Sequence, residues 1–320
     1  MTAEQIIRLY RSLIRIRKVE QKIEELYPRD EMKTPVHLSL GQEAVSVGVC
    51  SHLKREDYVF SNHRSHGHYL AKGGDLPAMI AELYCKETGC AAGRGGSMHL
   101  VDPQVGLMGS SAIVAGSIPH AVGAAFASWY RGDNRVAVTF FGDAAMEEGV
   151  FFESLNLAAL RKLPVVFVCE NNYYAVCSRL SARQVNERLT ARAGAFDIPA
   201  YQADGSDLLS VYEQAGTAIA AARSGQGPVF LECLCQRWRG HNGIGDPGRE
   251  NYRRSEDLDD AFRRCPVEIF KNKILAQNLA PEADIAAIDE AVDGEIEAAF
   301  LFAQQSPLPK KEELGRFLFE

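Results

Sequence analysis

The 320-residue sequence lacks the features that mark several broad classes of protein. It has no apolar run of membrane-spanning length, and its first residues lack the apolar segment of a secretory signal. It has no long basic run, and 35 basic against 42 acidic residues give a net charge of −7, which argues against nucleic-acid binding. None of its eight cysteines has CxxC spacing, so we expect reduced thiols rather than a disulfide or zinc site. We therefore expect a cytoplasmic protein that binds neither a membrane nor nucleic acid.

The composition favours a large, well-buried fold. With 46% hydrophobic residues the chain can bury a sizeable core, and it shows no internal repeat or low-complexity linker. Thr2 and Gln5 have the spacing of a capping box, and an apolar stripe continues to about Leu26, which predicts a helix. We expect the basic residues on its other face to meet solvent: Arg8, Arg11, Arg15 and Lys18.

The stretch from Val136 to Tyr174 predicts a strand, a helix and a second strand. Residues 136–141 and 165–170 are β-branched and aromatic runs, apolar on both faces, as in strands of a covered parallel sheet. Between them apolar residues recur at helical spacing until Pro164 stops the helix. Such a unit joins parallel strands by a right-handed crossover, so both strands end on the same edge of the sheet.

Polar residues follow both of these strands. Gly142 and Asp143 come after the first strand, and Asn171 and Asn172 come after the second. Open α/β sheets bind ligands at this edge, where strand ends lie about 5 Å apart for neighbours, or about 10 Å with one strand between. A carboxylate and a carboxamide offer oxygen ligands to magnesium, and the next helix offers its amides to a phosphate. The pattern predicts a site for a metal and a diphosphate.

Three further segments carry candidate functional residues. In residues 61–67, Arg64 suits a phosphate because a guanidinium binds oxyanions in bidentate fashion. Residues 89–109 hold six glycines, which predicts a long irregular loop. Residues 237–248 follow another predicted strand and form a glycine-rich loop with one histidine, His241, typical of an active-site lid.

The other segments predict ordinary helices and turns. Ser117 and Pro119 are predicted to be the cap and a first-turn residue of one helix, and Ser206 is predicted to cap another. Residues 178–198 are polar and predict an irregular segment. Residues from about 253 onwards predict charged helices, for which we expect roles in packing and subunit contact.

These motifs resemble the alpha subunit of thiamine diphosphate-dependent two-oxo-acid and acetoin dehydrogenases, the decarboxylating first component. Asp143 and Asn172 lie within GDAA…ENN, which is similar to the thiamine diphosphate signature. The other motifs fall in that family's order over most of the chain: GQEA at 41–44, HRSHG at 63–67, GRGGSMH at 93–99, AIVAGSIPHAVG at 112–123 and RWRGH…DPG at 237–248. The resemblance implies an α/β fold of the thiamine diphosphate-binding type, with a mostly parallel sheet flanked by helices. It implies one diphosphate-binding domain over 1–320, with helical extensions at about 1–55 and 253–320.

The resemblance also implies roles for individual residues. It places His241 and His66 at the reacting end of thiamine diphosphate as catalytic groups. Magnesium would bind Asp143, Asn172 and the backbone carbonyl of Tyr174. The residues that would contact the cofactor are Arg64, His63, Ala112, Ile113, Val114, Gly142, Asp143, Ala144, Ala145, Asn172 and His241.

The sequence departs from the family pattern in three places. Ala144 replaces the usual glycine, and its methyl group is tolerated only if φ stays negative, so we expect weaker but real cofactor binding. His63 stands where relatives often carry tyrosine. The loop between His241 and the Asp-Pro-Gly triplet is slightly longer than in many relatives, which leaves substrate choice open.

The implied reaction is decarboxylation of a 2-oxo acid such as pyruvate, or cleavage of acetoin, with acyl transfer to a lipoyl carrier. This chemistry needs a glutamate against the aminopyrimidine ring, and no second α/β domain follows residue 250 to supply it. The resemblance therefore implies a beta subunit with the pyrimidine-binding domain, in an assembly of two alpha and two beta chains, and a lipoyl acyltransferase. Two alternatives are a split transketolase-like subunit that transfers ketol units and a non-catalytic scaffold of the same fold.

Overall fold

The structure, a computed structural model, describes residues 1–245, 252–313 and 315–316. Its strands are β1 (Tyr58–Ser61), β2 (Leu107–Ser110), β3 (Ala137–Gly142), β4 (Val165–Asn171), β5 (Tyr174–Ala175), β6 (Ser178–Arg179), β7 (Ala200–Asp204) and β8 (Val229–Leu234). Six of them form a parallel sheet in the order β2-β1-β3-β4-β8-β7, and β5 pairs with β6 in antiparallel fashion. The predicted α/β fold with a mostly parallel sheet is confirmed.

Helices cover both faces of this sheet. They are α1 (Ala3–Leu26), α2 (Glu43–Cys50), α3 (His66–Ala71), α4 (Leu76–Leu83), α5 (Ser117–Arg131), α6 (Gly149–Arg161), α7 (Leu180–Arg183), α8 (Thr190–Gly194), α9 (Leu208–Arg223), α10 (Ser255–Arg263), α11 (Pro266–Ala276) and α12 (Glu282–Gln305). Over the described ranges, none of them combines the length and the apolar character that crossing a membrane requires.

The two faces of the sheet build two separate apolar cores. Along β3, Val138 and Phe140 pack into the core that includes α1, α2, α9 and α12, whereas Ala137 and Phe141 pack into the core with α5 and α6. Successive side chains of a strand point to opposite faces, so a strand covered on both sides must be apolar throughout. This requirement explains the unbroken apolar runs in β3 and β4.

The predicted strand–helix–strand unit is confirmed as β3–α6–β4. The two strands are direct neighbours in parallel register, with Ala137 opposite Val165 and Gly142 opposite Glu170. Helix α6 buries Phe151 and Leu155 on the face that meets the sheet. Both strands therefore end side by side at the carboxyl edge.

The starts of the helices were predicted with mixed success. The capping box of α1 is present, with Thr2 and Gln5 bonded reciprocally. The two serine caps were wrong. Ser117 is the first residue of α5 and its hydroxyl accepts a hydrogen bond from Thr139, while α9 is capped by the carboxylate of Asp207, next to the predicted Ser206. A carboxylate is the stronger acceptor for a helix amide, so Asp207 takes the position.

The basic face of α1 meets solvent only in part, because α12 packs along it: Arg8 and Arg11 are exposed as predicted, whereas Arg15 and Lys18 are partly buried. Arg11 and Arg15 both pair with Glu295, and Lys18 pairs with Asp293. The long helix near the carboxyl end of the chain is thereby held against the amino-terminal one.

The glycine-rich loop after α4 is wrapped around a buried carboxylate. Glu82 accepts hydrogen bonds from the backbone amides of four loop residues: Ala91, Gly93, Gly95 and Gly96. Glycine permits this tight wrapping because a side chain at Gly93 would meet backbone atoms within 3 Å. The loop was predicted to be long and irregular, and the structure shows what orders it.

The segment 178–198 is more regular than predicted. It contains β6, α7 and α8, and Arg183 at the end of α7 pairs with both Asp143 and Glu147. These ion pairs tie the segment to the end of β3.

Close packing of α2 against α9 gives a prediction for stability. A Cβ added at Gly48 would lie 2.6 Å from Val211, so Gly48→Ala is expected to lower the free energy of unfolding by roughly 1–3 kcal/mol. A Cβ added at Gly123, in the helix α5, would meet no atom of the described residues within 4 Å. Gly123→Ala is therefore expected to raise the free energy of unfolding by up to about 1 kcal/mol. Urea unfolding of both variants checks this; equal changes would contradict it.

Candidate active site

A pocket of about 220 Å³ lies beyond the ends of β3 and β4, at the carboxyl edge of the sheet. Every residue predicted for the site lines it except His66. The lining residues from that prediction are His63, Arg64, Ala112, Ile113, Val114, Gly142, Asp143, Ala144, Ala145, Asn172, Tyr174 and His241. The fold thus brings five separate segments of the chain to one place, and the roles assigned to them stay predictions.

Two oxygen donors lie side by side at the floor of this pocket. Asp143 follows β3 directly and is buried, and Asn172 follows β4. The Nδ2 of Asn172 donates to Gln42 Oε1 at 2.9 Å, which leaves its carbonyl oxygen to accept from the amide of Tyr174 at 3.3 Å. Burial raises the pKa of Asp143 although the guanidinium of Arg183 pairs with it and works in the opposite direction. The two oxygens are the donors that a hard cation takes in proteins.

Two guanidiniums supply positive charge to the same pocket. Arg64 donates to the backbone carbonyls of Leu38 and His241, and Arg237 donates to the carbonyl of Val176 and to Tyr252. Within the part of the chain that the structure describes, neither forms an ion pair with a carboxylate. Burial and then Arg237 lower the pKa of Arg64 to about 9, so it remains charged at neutral pH. Two guanidiniums without a direct ion pair suit a polyanionic ligand.

Three histidine rings form one wall of the pocket. The ring centroids of His37 and His63 lie 4.7 Å apart, and those of His241 lie 5.1 and 5.2 Å from the other two. Burial, followed by the charge of Arg64, lowers the pKa of His37 to about 3, of His63 to about 2 and of His241 to about 4. We call these residues the histidine cluster; all three rings are neutral at physiological pH.

The structure does not place His66 among the residues that line the pocket, and its role at the cofactor stays a prediction. Its ring is fully buried behind the pocket, with Nδ1 against Glu20 at 3.2 Å and Nε2 against the hydroxyl of Ser97 at 2.7 Å. It opens α3, whose first turn directs it into the protein, whereas Arg64 precedes that helix. With both ring nitrogens engaged, His66 links Glu20 to the glycine-rich loop.

Sequence reasoning missed several residues that line the pocket: His37, Gln42, Asn62, Glu170 and Arg237. Three of them lie within quoted motifs, Gln42 in GQEA, Glu170 in ENN and Arg237 in RWRGH, and their polar ends were a usable signal. His37 had no such signal. It comes to the pocket because the amide of Gly243 donates to the carbonyl of Val36 at 2.7 Å, which joins its segment to the His241 loop. The Asp-Pro-Gly triplet at 246–248 of the predicted lid lies outside the described residues.

Two other residues of GQEA, Gly41 and Glu43, fix the backbone at the start of α2. Glu43 pairs with the buried Arg17 at 2.6 Å and accepts from the amide of Gly41 at 3.0 Å. Gly41 has a φ of 90°, and a Cβ there would lie 2.3 Å from the carbonyl oxygen of Gln236. The motif therefore positions Gln42, and through it Asn172.

The backbone after β3 leaves room for a diphosphate. A Cβ at Gly142 would meet no atom within 4 Å, so the space beside it is open. Ala144 does not have positive φ, which is the condition under which alanine can replace glycine there. The oxygen donors, the guanidiniums and this open backbone together fit a magnesium-bridged diphosphate.

The histidine cluster predicts a loss of stability in acid. Below the ordinary pKa of 6.5 these histidines bind protons in the unfolded chain but stay neutral in the folded protein. The free energy of unfolding therefore falls as pH drops from about 6.5 towards 4. Replacing one ring, in His63→Phe, is expected to reduce this slope by up to about 1 kcal/mol per pH unit. Urea unfolding at several pH values measures it, with the exposed His120 replaced by alanine as control. Parallel slopes for wild type and His63→Phe would contradict the prediction.

Comparison with known proteins gives consistent matches over nearly the whole chain. A family model described as "Dehydrogenase E1 component" matches residues 11–312. The alpha subunit of acetoin:2,6-dichlorophenolindophenol oxidoreductase from Bacillus subtilis (strain 168) is 40% identical over 315 residues, covering 98% of this chain and 93% of that one. The pyruvate dehydrogenase E1 component subunit alpha of Porphyra purpurea is 39% identical over 326 residues, with 100% and 94% covered. That of Zymomonas mobilis is 37% identical over 313 residues, with 97% and 87% covered.

Proposed function

This chain belongs to the dehydrogenase E1 component family, and from that premise we propose that it is the alpha subunit of a thiamine diphosphate-dependent dehydrogenase for a small 2-oxo acid or acetoin. Membership implies thiamine diphosphate as cofactor and a beta subunit as partner. One observation carries the proposal: a single pocket joins Asp143 and Asn172 to two guanidiniums that form no ion pair among the described residues. A diphosphate bridged to magnesium calls for that combination.

Each end of the cofactor would have its own set of residues. Asp143, Asn172 and the carbonyl of Tyr174 would hold magnesium, and Arg64 with the backbone at Ala144 would hold the diphosphate. Arg183 pairs with Oδ2 of Asp143, and the other carboxylate oxygen would be the one that binds the metal. When bound, thiamine diphosphate supplies an electron sink at the carbonyl carbon of the substrate.

The histidine cluster would accept and donate protons at the end of the cofactor opposite the diphosphate. A neutral imidazole accepts a proton at one nitrogen and donates from the other. The Nδ1 of His241 is buried and has no hydrogen-bond partner among the described residues, and a rotation of the ring would bring it to a substrate oxygen with which it exchanges a proton. Arg64 donates to the backbone carbonyl of His241 at 3.1 Å and fixes where that ring stands.

The wall at residues 112–114 indicates where a second chain would close the site. Ile113 is 74% exposed and Val114 is 51% exposed, yet both line the pocket. We propose that the beta subunit covers this wall and brings the carboxylate that faces the aminopyrimidine ring. The proposed assembly has two alpha and two beta chains, and a lipoyl acyltransferase would accept the acyl group.

Reconstitution with a beta subunit tests the proposal. The two chains are co-expressed and supplied with thiamine diphosphate and magnesium, and lipoyl reduction is followed with pyruvate, a branched-chain 2-oxo acid or acetoin. We expect turnover only when both chains and both cofactors are present. Transfer of ketol units between sugar phosphates without lipoyl reduction would contradict it in favour of a transketolase-like subunit.

A further inference from the structure

We propose that His37, His63 and His241 together form a binding site for one divalent transition-metal ion of the zinc type. This site differs from the proposed magnesium site at Asp143 in both its donors and its place on the pocket wall. It does not depend on the proposed dehydrogenase function, because the ligands are side chains of this chain alone.

The geometry is that of a site that closes by small side-chain rotations. One ring nitrogen from each of the three histidines lies within 4.8 Å of the others. Three imidazoles in a tetrahedral zinc site, at about 2.1 Å from the metal, place their nitrogens about 3.4 Å apart. Small rotations of the three rings towards a common centre would shorten the nitrogen–nitrogen distances from within 4.8 Å to about 3.4 Å.

The histidine cluster also has free coordinating atoms. Nδ1 of His37 and Nδ1 of His241 are both buried, and within residues 1–245, 252–313 and 315–316 they have no hydrogen-bond partner. His37 is only 7% exposed, so water does not readily supply that partner. A buried nitrogen without a partner costs free energy that a metal bond recovers.

The chemistry of the donors selects the class of metal. Three neutral nitrogens suit zinc, copper and cobalt, whereas magnesium and calcium take oxygen ligands. Three protein ligands leave a fourth position open, as in metal sites that bind a small ligand. Arg64 and Arg237, which line the same pocket, repel a dication. The buried Glu170, which lines the same pocket, offsets part of that repulsion.

The test is direct zinc binding to the full chain, without thiamine diphosphate. The exposed thiol is first removed by Cys177→Ser, so that it does not bind zinc by itself. Zinc affinity is measured by competition with a chromophoric chelator, and the ligands are identified by X-ray absorption. We expect one zinc per chain with imidazole ligands, unaffected by excess magnesium.

Variants decide whether the histidine cluster holds the metal. His63→Phe and His37→Phe keep a ring in place and are each expected to weaken zinc binding by at least about tenfold. The buried His37 variant is open to poor folding, and two measurements decide the question without it. One is zinc affinity in the partly exposed His63 variant, and the other is the visible absorption spectrum of the unsubstituted chain with cobalt in place of zinc. His120→Ala, which alters an exposed histidine outside the pocket, serves as the control. Unchanged zinc affinity in both cluster variants, or zinc bound only when Cys177 is present, would overturn the site.

One more variant separates this inference from the proposed function. Asp143→Asn is expected to leave zinc affinity as it is, since Asp143 is not among the three ligands. Loss of zinc binding in Asp143→Asn would place the metal at the Asp143 end of the pocket and overturn the histidine site. Failure of lipoyl reduction alone would bear on the dehydrogenase and not on the metal.

Discussion

Replacing Asp143 with asparagine is expected to weaken magnesium-dependent binding of thiamine diphosphate by at least about a hundredfold. Removing one partner from a buried charge interaction costs about 3–5 kcal/mol, and each 1.4 kcal/mol is a factor of about ten. The substitution keeps the shape of the side chain and removes only its charge. The fold is expected to tolerate it, because burial already opposes the ionised form of Asp143 and raises its pKa. Calorimetry with and without magnesium, on the chain assembled with its beta subunit, measures the effect.

Glu147→Gln is the matched control for this substitution. Glu147 and Asp143 both pair with Arg183, but only Asp143 lines the pocket. A general effect of freeing Arg183 would appear in both variants, whereas loss of a metal ligand would appear only in Asp143→Asn. Equal cofactor affinity in the two variants would remove Asp143 from the metal site.

Replacing His241 with alanine is expected to slow acyl transfer by about 10²–10⁴-fold, the usual contribution of a positioned proton-transfer group. The affinity for thiamine diphosphate is expected to change much less. The diphosphate end depends on Arg64, which is held by the backbone carbonyl of residue 241 and not by the ring. The expected result is therefore a large fall in kcat of lipoyl reduction with nearly constant cofactor binding.

Added imidazole gives a second measure of the same prediction. The alanine variant leaves the ring's space empty, and a free imidazole can occupy it and restore part of the rate. His120→Ala, outside the pocket, is expected to behave as wild type with or without imidazole. A His241→Ala enzyme that transfers acyl groups at the normal rate would exclude His241 as a catalytic residue.

The central unit shows how far local patterns reach. The apolar pattern of strands, the helical spacing of apolar residues and the handedness of a crossover depend on neighbouring stretches of the chain. All three are present between Val136 and Tyr174 and predict its strand–helix–strand unit. Together they predict that Asp143 and Asn172 lie on one edge of the sheet. The structure adds that β3 and β4 are direct neighbours, with Gly142 opposite Glu170.

The histidines show that local sequence patterns do not predict where a side chain lies in the fold. His66 stands two residues after Arg64, and no local rule separates their directions. The start of α3 turns one into the protein while the other borders the pocket. His37 lies far from His241 along the chain, and backbone hydrogen bonds between their segments, such as that from Gly243 to Val36, bring the rings together. Such placement depends on the assembled fold.

The sequence by itself determined the central strand–helix–strand unit, a mostly parallel sheet and the edge on which its polar residues collect. Only the tertiary structure decided which side chains share the pocket, what covers the basic face of α1 and why the glycine-rich loop surrounds Glu82. Periodicity and turn chemistry depend on neighbours in the chain. Hydrogen bonds and ion pairs such as Arg15 with Glu295 depend on residues that are close only after the helices have packed.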